Sequence, residues 1–164
     1  MIVVSDTSPL CYLALIGCAD VLPQLFGEVA VPRMVWIELA HPDSPEAVRL
    51  LAAEPPVWLK VYEDVPQREP MPSQLDPGET AAILLARELR ADGLLIDDAR
   101  GKAVAEASGL RVTGTLGVLR LATRVGHIDL AEAFARLRQT NFRASASLYE
   151  ALLEEERERL RRQE

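Results

Sequence analysis

Five carboxylates of this 164-residue chain stand where chemistry is readily built. Asp6 directly follows the apolar run Ile2-Val3-Val4, Glu38 lies in an amphipathic stretch, Glu79 heads a helical segment, and the adjacent Asp97 and Asp98 follow Leu94-Leu95-Ile96. Crowding carboxylates at strand ends is costly unless a cation compensates them. Oxygen donors suit a hard divalent ion such as Mg²⁺ or Mn²⁺. Zinc is disfavoured, because His41 and His127 are isolated and have no ligand partner at metal spacing.

Each acid also has an ordinary structural role open to it. Asp6 can cap a helix, although Thr7 and Ser8 compete for that position. Glu38, between Ile37 and Leu39, can be a solvated helix residue. Asp76-Pro77-Gly78-Glu79 has the spacing of a capping box, in which Asp76 accepts from the Glu79 N–H and Glu79 accepts from the Asp76 N–H. Gly78 is a poor helix former and permits a close approach at that point. Asp97 and Asp98 diverge as their strand ends, so one is expected to bind metal while the other caps a helix or orients water. Arg100 and Lys102, in the following turn, are candidates to meet a phosphate.

The elements that must position these groups alternate. Short strands are expected at Ile2–Val4, Glu28–Val31, Val57–Tyr62, Leu94–Ile96 and Arg111–Thr113. Helices are expected from Thr7 or Ser8 to Ile16, through Val21–Leu25, from Pro32 or Arg33 to before Pro42, and over Glu46–Ala53. The next runs from Asp76 to Ala91, followed by Arg100–Ser108, Thr115–Val125, Asp129–Gln139 and Ser147 to the C-terminus. Residues 63–75, Pro-rich and polar, form the one stretch long enough for a mobile loop. Strands alternating with helices imply a three-layer α/β/α fold around a five-stranded, mostly parallel sheet. In such a sheet, ligands bind beyond the C-terminal strand ends, where Asp6, Asp97 and Asp98 fall.

Composition narrows the class. An apolar fraction of 49% excludes disorder, and no uncharged apolar run reaches the roughly 20 residues of a membrane span. One domain is expected over 1–164, with 145–164 as a C-terminal helical extension. The first residues carry no basic n-region, so a cytoplasmic location is expected, with Cys11 and Cys18 reduced and serving as small core residues. Net charge is −7, divided into −10 over residues 1–99 and +3 over 100–164. A general polyanion binder is therefore excluded.

Other motifs fall short of a site. Gly114-Thr115-Leu116-Gly117 lacks the lysine of a P-loop, so helix packing is expected there, with Thr115 lining the pocket. A haloacid-type phosphatase would need a second Asp two positions after Asp6, where Ser8 stands. Beyond Ser147, glutamates and arginines interleave opposite Leu148, Leu152, Leu153 and Leu160. That helix is either a lid on its own domain or a partner contact.

Taken together, Asp6-Thr7-Ser8, Glu38, Gly78-Glu79 with Ala81 and Ala82, and Asp97-Asp98 resemble the PIN domain, a family of metal-dependent ribonucleases with a four-carboxylate pocket. Arg100-Gly101, Thr113-Gly114-Thr115-Leu116-Gly117 and Ser147-Leu148-Tyr149 resemble a prokaryotic branch akin to VapC-type toxins. The resemblance spans nearly the whole chain. It implies a Mg²⁺/Mn²⁺-dependent endoribonuclease whose cation site is Asp6, Glu38, Glu79 and Asp98, or Asp97 in its place, with Asp98 favoured by the family's acid two positions beyond the last buried strand residue. Ser8, Arg100, Lys102 and Thr115 are the implied substrate contacts. RNA is the implied substrate, with a small antitoxin protein as partner. A homodimer is also implied, Arg120, Arg124, Arg136 and Arg138 lining a shared groove. The alternatives are a non-catalytic PIN-like binding module and a metal-dependent phosphatase.

Overall fold

The structure, a computed structural model, describes residues 1–164. The opening apolar run forms β1 (Ile2–Ser5), and Thr7–Leu15 forms α1, with Pro9 buried in its first turn. The chain continues through α2 (Val21–Phe26), β2 (Glu28–Pro32), α3 (Arg33–Leu39), α4 (Glu46–Ala53) and β3 (Leu59–Tyr62). After a long connection come α5 (Pro77–Glu88), β4 (Gly93–Leu95), α6 (Ala99–Ala107) and β5 (Val112–Thr113). Three helices close the chain: α7 (Thr115–Arg124), α8 (Leu130–Leu137) and α9 (Ala146–Arg161).

The five strands form one sheet in the order β3-β2-β1-β4-β5, and every neighbouring pair is parallel. Alternation along the strands sends side chains to opposite faces. Val3, Val29, Val31, Leu59 and Leu95 join a large core with Leu10, Leu13, Phe134 and Leu137. Val4, Ala30, Leu94 and Ile96 join a smaller core with Ile83, Leu85 and Ala105. Helices thus cover both faces, giving the three-layer α/β/α arrangement. The strand order runs outward from β1 to β2 and β3, then resumes on its other side with β4. That reversal lies between β1 and β4, where open parallel sheets build ligand crevices.

Three expectations change in detail. Val57 is 86% exposed and lies outside β3, and Leu59 alone of the row Val57, Leu59, Val61 is buried. The strand is at the sheet edge, so one face suffices to anchor it. Helix α5 stops at Glu88 rather than Ala91, because Arg90 turns left-handed (φ 49°) to aim the chain into β4. The connection over residues 63–76 is irregular yet tethered: Val65 and Met71 pack on the smaller core and Leu75 is buried. No helix is long and apolar enough to cross a membrane.

Candidate metal centre

The reversal point is occupied by acids. Asp6 leaves the end of β1, its backbone N–H donating to Leu95 O at 2.9 Å. This bond locks the β1 and β4 ends together, bringing Asp6 beside Asp97 and Asp98. Glu38 reaches the same place from the last turn of α3, and Glu79 from the first turn of α5. With Asp76 these side chains line one open cavity of about 570 Å³, in which Arg143 is the single cation.

The five predicted acids are held in different ways. Asp97 accepts from Ser8 Oγ at 2.8 Å, and from Thr115 N and Thr115 Oγ1 at 2.7 Å each. Asp98 caps α6, its Oδ2 accepting from Gly101 N at 2.9 Å, while the rest of its side chain is exposed. Glu79 completes the capping box: its N–H donates to Asp76 Oδ1 at 2.8 Å and its Oε2 accepts from Asp76 N at 3.1 Å. Glu38 accepts from Thr7 Oγ1 and lies half-buried against Gly78, so it is not the solvated residue that periodicity alone describes.

Asp6 differs from the rest. It is 5% exposed, caps nothing with its side chain, and its Oδ1 is buried with no hydrogen-bond partner. Burial pushes its carboxyl up from 3.8 to about 7, the Thr7 backbone N–H opposes this, and repulsion from Asp76, Glu79 and Glu38 adds to it. Glu79 is raised as well, mainly by burial. A buried carboxylate oxygen left without a donor among other acids is what a cation would satisfy. The donor set is all oxygen, which fits a hard divalent ion. No three of these acids stand close enough to form a ready coordination shell, since most are engaged in caps and side-chain hydrogen bonds.

The other predicted contacts divide. Ser8 lines the acid cavity, and the fully buried Thr115 reaches it through Asp97. Lys102 lines a neighbouring cavity that shares Asp97. Arg100 is exposed and lines neither cavity, because the first turn of α6 carries it outward. Gly117 serves packing, as expected, since a Cβ there would stand 2.7 Å from Thr113 Cγ2. Cys18 is buried in the larger core, and Cys11 packs against that core while its half-buried side chain also lines the acid cavity.

Four lining residues lie outside the sequence reading. Tyr12 donates through its hydroxyl to Asn141 Oδ1 at 2.8 Å and makes a T-shaped contact with Phe142, the ring centroids 4.9 Å apart. These contacts hold the irregular segment between α8 and α9, which includes Arg143, against α1 at the cavity lining. Tyr12 follows Ser8 by one helical turn, a spacing that marks it as a neighbour of the site. Asn141, Phe142 and Arg143 carry no such local signal.

Comparison with known proteins bears on this geometry. The family model DUF3368, a PIN domain, matches residues 2–158. No curated protein matches the chain. Among solved structures, a PilT N-terminus domain protein of the hyperthermophilic archaeon Sulfolobus solfataricus P2 is similar, at 18% identity and a TM-score of 0.56. The alignment covers 79% of this chain and 98% of that one, and the likeness is one of fold.

Proposed function

The chain belongs to the PIN-domain family, and from that premise we propose that it is a Mg²⁺- or Mn²⁺-dependent endoribonuclease. The observation that carries the reading is the unpartnered, buried Oδ1 of Asp6 in a cavity otherwise rich in carboxylates. PIN domains are typically metal-dependent nucleases, which supports the same class.

In this reading Asp6, Glu38, Glu79 and Asp98 would hold the cation, because Asp6 Oδ1 has no hydrogen-bond partner and Glu38, Glu79 and Asp98 each keep one oxygen outside the hydrogen bonds that fix them. Asp97 accepts three hydrogen bonds and positions the strand end instead. A divalent ion, when bound, supplies Lewis acidity: it lowers the pKa of water and offsets charge developing at phosphorus. The carboxylates would keep that ion at the β1–β4 reversal, and Arg143, which lines the same cavity, would meet a phosphate. The reading extends to a cytoplasmic homodimer serving as the toxin of a toxin–antitoxin pair, with a small antitoxin as partner.

Incubation with a panel of structured RNAs tests it. Cleavage is expected with Mn²⁺, abolished by chelator and lost in Asp6→Asn. Metal-independent cleavage, or full activity of that variant, overturns the reading. RNA binding without cleavage would favour the binding-module alternative.

A further inference from the structure

A second cavity, of about 500 Å³, adjoins the acid pocket and shares Asp97, Phe142 and Arg143 with it. Its character is opposite. Lys102, Arg120, Arg124 and Arg143 bring four cations to it, and Asp97 is its single acid. Arg120 is bound to Glu155 at 2.5 Å, but Lys102, Arg124 and Arg143 enter no salt bridge. Leu116, Leu121, Leu148 and Phe142 add apolar side chains to the same lining. An inorganic anion would not need them, and an apolar ligand would leave the cations without partners. A nucleotide needs both, an apolar face for its base and positive charge for its phosphate. The volume lies within the range of roughly 300–1,000 Å³ found for small-ligand sites.

We propose that this basic cavity receives an unpaired nucleotide of an RNA strand, its base against Phe142 and its phosphate between Lys102 and Arg143, adjoining the phosphodiester held in the acid pocket. The last clause rests on the nuclease reading; the cavity's own chemistry does not. Phe142 is suited to the role because its contact with Tyr12 fixes the ring at the partition between the two cavities. A paired nucleotide is stacked on both faces and cannot enter, so the cavity selects single-stranded or extruded bases. Lys102 Nζ lies beside Gly114, where a Cβ would stand 3.0 Å from it and 2.8 Å from Asp97 Oδ1. The absence of a side chain at Gly114 lets acid and cation share the boundary.

The test is binding, in the Asp6→Asn protein with Mg²⁺ so that no strand is consumed. The probe is a short single-stranded oligoribonucleotide carrying one 2-aminopurine, compared with the same strand annealed to its complement. Quenching of the 2-aminopurine on binding is expected, with the single strand preferred over the duplex by about tenfold. Phe142→Leu removes the quenching and weakens single-strand binding by about tenfold. Leu148→Trp fills the cavity from a position already 42% exposed, and weakens binding likewise without lowering the melting temperature. Unchanged affinity and quenching in both variants, or equal binding of the duplex, overturns the proposal. So does a failure of the single strand to bind at all, which would leave the cavity to a polypeptide. Retained quenching and variant effects in a protein that never cleaves RNA would reject the nuclease reading and support the nucleotide cavity.

Discussion

The carboxylate of Glu38 lies against the first turn of α5 at Gly78, where a Cβ would stand 2.7 Å from Oε1 and 2.8 Å from Oε2. Gly78 thus admits Glu38 to the positive end of that helix. In Gly78→Ala the obstruction meets the tip of a flexible side chain, so Glu38 swings aside at little cost. The helix itself gains about 0.5–1 kcal/mol. Melting should therefore be unchanged or slightly later, while Mn²⁺ affinity measured by calorimetry falls about 10–100-fold. Earlier melting with unchanged metal affinity would contradict this relationship.

The state of Asp6 makes stability depend on pH. Its carboxyl is raised to about 7 in the folded protein, chiefly by burial, from an ordinary 3.8. Between those values the folded state holds a proton that the unfolded state has released. Stability without metal therefore falls as pH rises through this window, and the full loss, on the order of 4 kcal/mol, is reached above it. A bound cation replaces the proton and restores stability by mass action. Thermal melting at pH 6 and pH 7.5, with and without Mn²⁺, reads both effects. The metal-induced rise should be larger at the higher pH and absent in Asp6→Asn. A midpoint indifferent to millimolar Mn²⁺ would return the acids to local capping.

Two acids combine capping with the proposed metal role, and conservative variants separate the two. Asp98→Asn keeps an N-cap for α6, and Glu79→Gln keeps an acceptor for the Asp76 N–H. Both should melt close to the parent protein yet lose cleavage by roughly two orders of magnitude. Asp98→Ala should lose the same activity and about 1 kcal/mol of stability. Full activity of Asp98→Asn would assign Asp98 to capping alone.

Much of this site was legible in the sequence because its physics is local. A charge flush against an apolar strand marks Asp6 and the Asp97-Asp98 pair, and the Asp76–Glu79 spacing describes the capping box that forms. Gly78 announces a close approach without saying by what; the answer, Glu38, lies 40 residues earlier in the chain. Periodicity alone leaves Glu38 on a solvated face, because the partner that covers it comes from another element. Phe142 and Arg143 were illegible for the same reason: an irregular segment has no period, and Tyr12 fixes it across 130 residues of chain. Arg100 looked like its neighbour Lys102 in sequence, but the helical turn sends the two in different directions.

Assembly offers an independent test. Val125, directly after α7, and Leu160 on α9 are 57% and 51% exposed and lie outside the basic cavity. Such a surface favours a homodimer. The arginines expected to wall a shared groove are largely engaged within the chain: Arg120 with Glu155, Arg136 with Glu132, and Arg138 over the Tyr149 ring. Arg124 alone is without such a partner, so dimerisation is expected to rest on these two apolar side chains. Light scattering at micromolar concentration should give twice the chain mass. A concentration-independent 18.1 kDa would remove the dimer.

The hold of Thr115 on Asp97 yields the last prediction. Thr115 is fully buried at the start of α7 and donates through both N and Oγ1 to the Asp97 carboxylate, leaving Ser8 Oγ as the third donor. Thr115→Val preserves shape but withdraws one donor from a half-buried acid. The expected cost is about 1 kcal/mol, since the carboxylate loses one donor that water entering the adjoining cavities only partly replaces. Each kcal/mol corresponds to about 2–4 °C of melting temperature in a domain of this size. If Asp97 acts only as a brace, cleavage per folded molecule should survive. If it sets the position of Asp98 and the β4 end, kcat should fall with KM little changed, and Thr115→Ser should restore it by returning the hydroxyl. The second outcome is expected, because Asp97 is the residue through which β4, α1 and α7 all meet at the acid pocket.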